Sequence, residues 1–137
     1  MNLNISYLQS AYKNKTLTPQ QLVKNILQRC QQYEDHNIWI RLLTPEELQP
    51  YLDNLQTKNI DDLPLYGIPF AIKDNIDLAG ITTTAACPAF TKTAEKSAFV
   101  VQQLINAGAI PIGKTNMDQF ATGLVGTRSP EPWGACK

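Results

Sequence analysis

The sequence predicts an α/β fold, with a helical N-terminal region over residues 1–62 and the start of an α/β core over residues 63–137. Three observations carry that expectation. Apolar residues recur at helical spacing through the first half, at Leu8, Ala11 and Tyr12, then from Leu22 to Tyr33, then from Leu48 to Leu55. Short apolar runs at 68–72 and 109–112 suit buried strands. The segment between those runs has the length and pattern of a helix closing on Gly108, and that helix, the strand after it and a capped start at residues 115–118 are half of a parallel-sheet unit.

The first helix follows from the i, i+3, i+4 spacing of Leu8, Ala11 and Tyr12. Thr18, Pro19, Gln20 and Gln21 then combine an N-cap, a proline at the first helical position and a Gln three residues on, which is a capping box. The helix it starts places Leu22, Val23, Ile26, Leu27, Cys30 and Tyr33 on one stripe. Residues 38–42 alternate as a strand does, and Thr44, Pro45, Glu46 and Glu47 cap a third helix that uses Leu48, Tyr51, Leu52 and Leu55 for burial. A polar, exposed linker over 56–62 separates the two regions. The core helix is expected from about Lys96, burying Phe99, Val100, Val101, Leu104 and Ile105, and a further capped helix start is expected at residues 115–118.

Composition excludes several functions. The 137 residues carry 12 Lys+Arg against 12 Asp+Glu, so no net positive charge marks a nucleic-acid or anionic-membrane surface. No apolar run approaches the roughly 20 residues that span a bilayer, and the N-terminus lacks the pattern of a secretory leader, so the expected location is cytoplasmic. Cys30, Cys87 and Cys136 form no C-x-x-C pair and read as reduced thiols. His36, the one histidine, lies in a polar run that reads as a solvated helix end, and no ligand set for a metal is expected.

Residues 108–115, GAIPIGKT, satisfy the phosphate-loop pattern literally. Their context argues against it. A helix rather than a strand precedes Gly108, the four residues between the glycines resemble a strand, and Pro111 lacks an N–H for an anion nest. The sharper signal is residues 66–75, YGIPFAIKDN, where Lys73 directly follows an apolar strand. A lysine desolvated at a buried strand end loses its proton more readily and can act as a general base toward a hydroxyl, whereas a snorkelling surface lysine cannot.

Residues 65–90, LYGIPFAIKDNIDLAGITTTAACPAF, and 107–130, AGAIPIGKTNMDQFATGLVGTRSP, resemble two successive segments of amidase-signature hydrolases. Within that family the wording TTAACPAF and DQFATGLVGTRSP is most similar to allophanate hydrolases, which finish urea breakdown by the carboxylase route. The resemblance implies a partial amidase-signature fold, with N-terminal helices followed by the first strands of a mixed sheet with packed helices. It further implies hydrolysis of a C–N amide bond through a Ser-cis-Ser-Lys triad, a small amide substrate and no cofactor or metal. By that match Lys73 is the general base. Gly123, Gly126, Thr127 and Arg128 would line the substrate pocket, with glycine amides close to the ligand and Arg128 serving either a small anion or a structural ion pair.

In the family both serines lie in a Gly/Ser-rich segment well after the lysine, and Ser6, Ser10, Ser97 and Ser129 have no glycine-rich surround that could supply oxyanion donors. The expectation is therefore the N-terminal portion of a single amidase domain, inactive alone. Two alternatives stand beside it: the amidase subunit of a tRNA-dependent amidotransferase, and a non-catalytic remnant that acts only by association. Because later strands and helices would cover residues 69–72 and 109–112 in a complete fold, these strands are expected to expose an apolar face. Self-association or a C-terminal partner fragment follows.

Overall fold

A computed structural model describes residues 2–137. The chain forms two compact units. One takes residues up to Gln32 with Leu43–Phe70 and Gln103–Ile112; the other takes Tyr33–Leu42, Ala71–Gln102 and Gly113–Lys137.

The first unit holds the three N-terminal helices, α1 (Ile5–Lys13) and α2 (Pro19–Gln32), and, after strand β1 (Trp39–Leu42), α3 (Pro45–Gln56). Both capping boxes form. Thr18 N–H donates to Gln21 Oε1 at 2.9 Å while Gln21 N–H donates to Thr18 Oγ1 at 3.2 Å. Thr44 and Glu47 make the same reciprocal pair at 3.0 and 3.3 Å. Leu8, Leu22 and Leu48 are fully enclosed, joined by Tyr12, Val23, Ile26, Leu52 and Leu55. Tyr33 departs from the expected stripe: α2 ends at Gln32, a single 3₁₀ turn takes Glu34–His36, and Tyr33 is exposed. The reversal at left-handed Asn37 turns the chain before another helical turn can form.

Strands β2 (Pro69–Lys73) and β5 (Ile110–Thr115) run through both units. Gly67 N–H donates to Gly108 O, and further along Asp74 N–H donates to Thr115 O, so the two strands advance together and are parallel. β1 pairs antiparallel with β5, placing β5 centrally in a mixed sheet of order β1-β5-β2. Pro111 is tolerated in this central strand because β1 stops at Leu42, opposite Gly113, and the last bond runs from Leu43 N–H to Ile112 O. A short hairpin of β3 (Thr82–Thr83) and β4 (Lys92–Thr93) lies in the second unit.

The connecting helix α4 is shorter than expected, spanning Phe99–Asn106. The residues before it are tied elsewhere: Ser97 Oγ accepts from Ala79 N–H and Ala98 N–H donates to Asp77 O. Helical bonding starts only with Gln102 N–H to Ala98 O, and of the five residues expected to be buried Val101 is buried, Leu104 and Ile105 are half-buried, and Phe99, at 81% exposure, and Val100 are exposed. At its end Gly108 N–H bonds to Ile105 O and Ala109 N–H to Leu104 O, a Schellman closure with Gly108 at φ +97°, as its sequence position foretold.

Two further expectations change. Residues 115–118 start no α-helix; a single 3₁₀ turn at Gln119–Ala121 follows, and left-handed Phe120 (φ +51°) stops propagation. The expected apolar face is confined to β2, where Pro69 and Phe70 are half-buried and Ala71 is exposed, whereas Ile68, Ile72, Ile110 and Ile112 are buried. In the second half of the chain the exposed large apolar side chains are instead Phe90, Phe99, Val100, Phe120, Leu124 and Val125, on a helix start and on loops.

Candidate active site

Lys73 is the last residue of β2 and is exposed, so the desolvation anticipated for it is absent from this chain. Strand alternation explains the outcome. Ile72 and Asp74 are buried, and the residue between two inward-facing neighbours points to the opposite face. The buried lysine is Lys114, on β5, which shares a face with the enclosed Ile110 and Ile112 at spacings of two and four.

Lys114 Nζ lies 2.9 Å from Asp74 Oδ1, with both side chains wholly removed from solvent. This contact is an ion pair without hydrogen-bond alignment, and Oδ1 has no hydrogen-bond partner. The ammonium directs its hydrogen bonds instead to Thr83 Oγ1 at 3.0 Å and Thr82 O at 3.3 Å. Asp74 Oδ2 accepts from Thr84 N–H at 3.0 Å and from Thr84 Oγ1–H at 2.5 Å. The GKT residues of the literal phosphate motif thus serve the sheet. A Cβ on Gly113 would stand 2.5 Å from Arg41 O, so β1 approaches β5 where only glycine fits.

The loop after β5 is organised around a second buried carboxylate, Asp118. Its Oδ1 accepts from Arg128 N–H at 2.6 Å and its Oδ2 from Gly126 N–H at 3.0 Å. The backbone N–H of Arg128 first, then that of Gly126, hold its pKa below the ordinary carboxylate value. Gly123 lies against the same carboxylate, where a Cβ would come within 2.6 Å of Cγ. Arg128 spans the loop by donating from Nη1 to Thr122 O at 3.0 Å.

The structure therefore gathers Gly123, Gly126 and Arg128 about Asp118, with Thr127 exposed between the last two. The amides of Gly126 and Arg128 point inward to a carboxylate of the chain itself rather than outward to a ligand. Each serine hydroxyl also has a local partner. Ser6 bonds to Asn4 Oδ1 at 2.6 Å, Ser10 to Ser6 O at 2.9 Å, Ser97 accepts from Ala79 N–H, and Ser129 donates to Asn116 Oδ1 at 2.6 Å. Among the described residues no cluster of three His, Cys, Asp or Glu side chains could hold a metal ion, and no helix is long and apolar enough to cross a membrane.

Sequence reasoning missed Asp74, Lys114 and Asp118. Alternation carried a signal for the first two, since a charged residue two positions from a buried isoleucine in a strand faces the same interior. Asp118 had no comparable signal, because its role comes from a loop that returns ten residues later.

A mixed sheet with packed helices defines an α/β chain, and comparison with known proteins narrows the class. Residues 21–132 match the amidase family, and the chain belongs to it. The urea amidolyase of Saccharomyces cerevisiae is 57% identical over 95 residues, covering 69% of this chain and 5% of that protein. The crystal structure of Kluyveromyces lactis allophanate hydrolase superposes with a TM-score of 0.77 at 43% identity, covering 92% of this chain and 21% of that one. A glutamyl-tRNA(Gln) amidotransferase subunit from Lawsonia intracellularis is 57% identical over 61 residues, covering 44% of this chain and 13% of that protein. This chain thus corresponds to a small part of each relative's length. The partial amidase-signature fold expected from the sequence is the fold observed.

Proposed function

We propose that this chain is the N-terminal portion of a single amidase domain that hydrolyses the C–N bond of a small amide, with allophanate as the substrate. The observation that carries the reading is the placement of Lys73 at the open end of β2, beside a residue anchored through both its backbone and its carboxylate, in a chain 57% identical over 95 residues to a urea amidolyase. In this reading Lys73 takes a proton from a relay serine, the relay serine takes one from a nucleophilic serine, and that oxygen attacks the amide carbonyl; the C–N bond then breaks, the amine leaves with the proton returned from Lys73 through the relay, and water hydrolyses the acyl-enzyme. Burial of Lys73 comes from the elements that bring the serines, which lowers the cost of its neutral form.

The loop over 122–128 forms one wall of the substrate site. Its inward amides fix the wall's shape, and Thr127 and the remaining N–H groups of Arg128 face the anionic end of the substrate. None of the four serines present supplies the nucleophile, so the chain alone is inactive and takes a C-terminal partner segment or a second copy against its exposed apolar side chains. The expected location is cytoplasmic. The amidotransferase reading rests on the matches to glutamyl-tRNA(Gln) amidotransferase subunits, at 57% identity over 44% of the chain and at 38% over 76%.

The test is turnover of allophanate, with free glutamine as the competing substrate, by the chain alone and by the chain continued through the serine-bearing segment of a urea amidolyase. Allophanate hydrolysis by the continued chain only, abolished by Lys73→Ala, supports the reading. Glutamine hydrolysis without allophanate hydrolysis favours the amidotransferase; activity indifferent to Lys73 overturns both.

A further inference from the structure

We infer that Asp74, braced by Lys114, is a positioning residue for Lys73, an inference that rests on the proposed role of Lys73 as base. A lysine reaches its target through a flexible four-carbon stem, so its aim depends on how firmly its own peptide is held. Lys73 is exposed and its side chain has no fixed partner in the second unit's interior, yet the backbone around it is tied at every point. Ile76 N–H donates to Lys73 O at 2.9 Å, Asp74 N–H donates to Thr115 O at 3.3 Å, and Ala85 N–H donates to Asp74 O at 3.1 Å. The Asp74 carboxylate adds Thr84 N–H, Thr84 Oγ1–H and the Lys114 ammonium. One residue thus links the end of β2 to β5 and to the turn after β3.

Stability alone does not call for this arrangement. A buried ion pair is often replaceable by apolar residues of similar volume without loss, because desolvation of two charges offsets much of their attraction. What an apolar pair lacks is direction. The turn that Asp74 grips contains Ala85 and Ala86 at φ +51° and +56°, left-handed positions that non-glycine residues hold only when their surroundings over-determine them. Ala85 O in turn accepts Phe120 N–H at 3.0 Å, carrying the same restraint to the Asp118 loop. Asp74 therefore sets the orientation of the Lys73 peptide relative to both walls of the proposed site.

The experiment compares the 137-residue chain with Asp74→Asn, with Thr84→Val, and with the double variant Asp74→Leu, Lys114→Met. Amide exchange is read at Asp74 and Ala85, and the methyl resonances of buried Leu78 and Val101 report that the second unit is folded. The expected result is at least a tenfold loss of protection at both amides in the double variant and a several-fold loss in Thr84→Val, with the methyl resonances unmoved. Unchanged protection in either folded variant overturns the inference. In the chain continued through a serine-bearing segment, Asp74→Asn lowers kcat at least tenfold with KM within twofold, and an unchanged kcat also overturns it. Loss of protection with turnover indifferent to Lys73→Ala would instead remove the base assignment and leave the hold of Asp74 on the strand end intact.

Discussion

Lys114 Nζ and Asp74 Oδ1 stand 2.9 Å apart with both side chains fully buried, and Asp74 is the chain neighbour of exposed Lys73. The two lysines of the strand pair β2 and β5 thus divide the work by face. One is paired with a carboxylate inside the sheet, and the other is exposed.

Lys114→Met is expected to destabilise the chain by about 3–5 kcal/mol, because it leaves the Asp74 carboxylate buried without its counter-charge. Adding Asp74→Leu should recover most of that loss. Urea unfolding of the single and double variants checks the coupling, and equal losses in the two would show that the ion pair contributes nothing beyond packing.

Lys73→Ala and Lys73→Arg should each change stability by less than about 0.5 kcal/mol, as expected for an exposed side chain. In the chain continued through a serine-bearing segment both should lower turnover by about 100- to 10,000-fold, since a guanidinium stays protonated and cannot serve as base. A fully active arginine variant would show that the position supplies charge rather than proton transfer.

Asp118 has a folded pKa below its unfolded value, so its contribution to stability is present above the unfolded pKa and lost as pH falls through the folded one. The loop over 122–128 should therefore loosen in acid before the helical unit does. Protection of the Gly126 and Arg128 amides, measured against their intrinsic exchange at each pH from neutral downward, should fall as the carboxylate gains its proton, and Asp118→Asn should abolish that pH dependence. Protection that stays constant across the acid range would detach the loop from Asp118.

Tyr12 donates to Gly67 O at 2.9 Å from a buried position, and burial, with Tyr66 a lesser influence, raises its pKa above the ordinary tyrosine value. The folded state thus favours the neutral phenol. That stability is present below the unfolded pKa, near 10, and is lost as pH rises toward the folded one. Tyr12→Phe should cost about 1–3 kcal/mol by orphaning the Gly67 carbonyl, and should flatten the alkaline arm of the stability curve. A pH-stability profile of both chains decides it.

Thr18→Ala and Thr44→Ala should each cost about 0.5–2 kcal/mol, since each removes one half of a reciprocal cap. The two losses should add, because each capping box closes within its own four residues. Thermal unfolding of the two single variants and the double tests this; a double loss well short of the sum would mean that α2 and α3 share a common brace.

The local features were legible in the sequence because local chemistry dictates them. Capping boxes, the stripe of Leu8, Ala11 and Tyr12, the closure at Gly108 and the strand character of residues 110–112 each need only neighbours a few residues away. The same local chemistry argues against a phosphate loop at residues 108–115, and a strand over Ile110–Thr115 is what forms. The side chains of the candidate site were not legible in that way. Whether Lys73 or Lys114 is buried depends on which face of each strand the rest of the chain covers, and pairing in the sheet decides that. Phe99 and Val100 fit a helical stripe, but Val101 is the residue of α4 that the rest of the chain buries, and which face of a helix is covered is a tertiary matter. The sequence alone determined helices α1 to α3, the capping boxes of α2 and α3, the strands β1, β2 and β5 and the lysine at the end of β2. Only the tertiary structure paired Asp74 with Lys114 and wrapped residues 123–128 around Asp118, because burying a charge requires a partner that chain proximity does not specify.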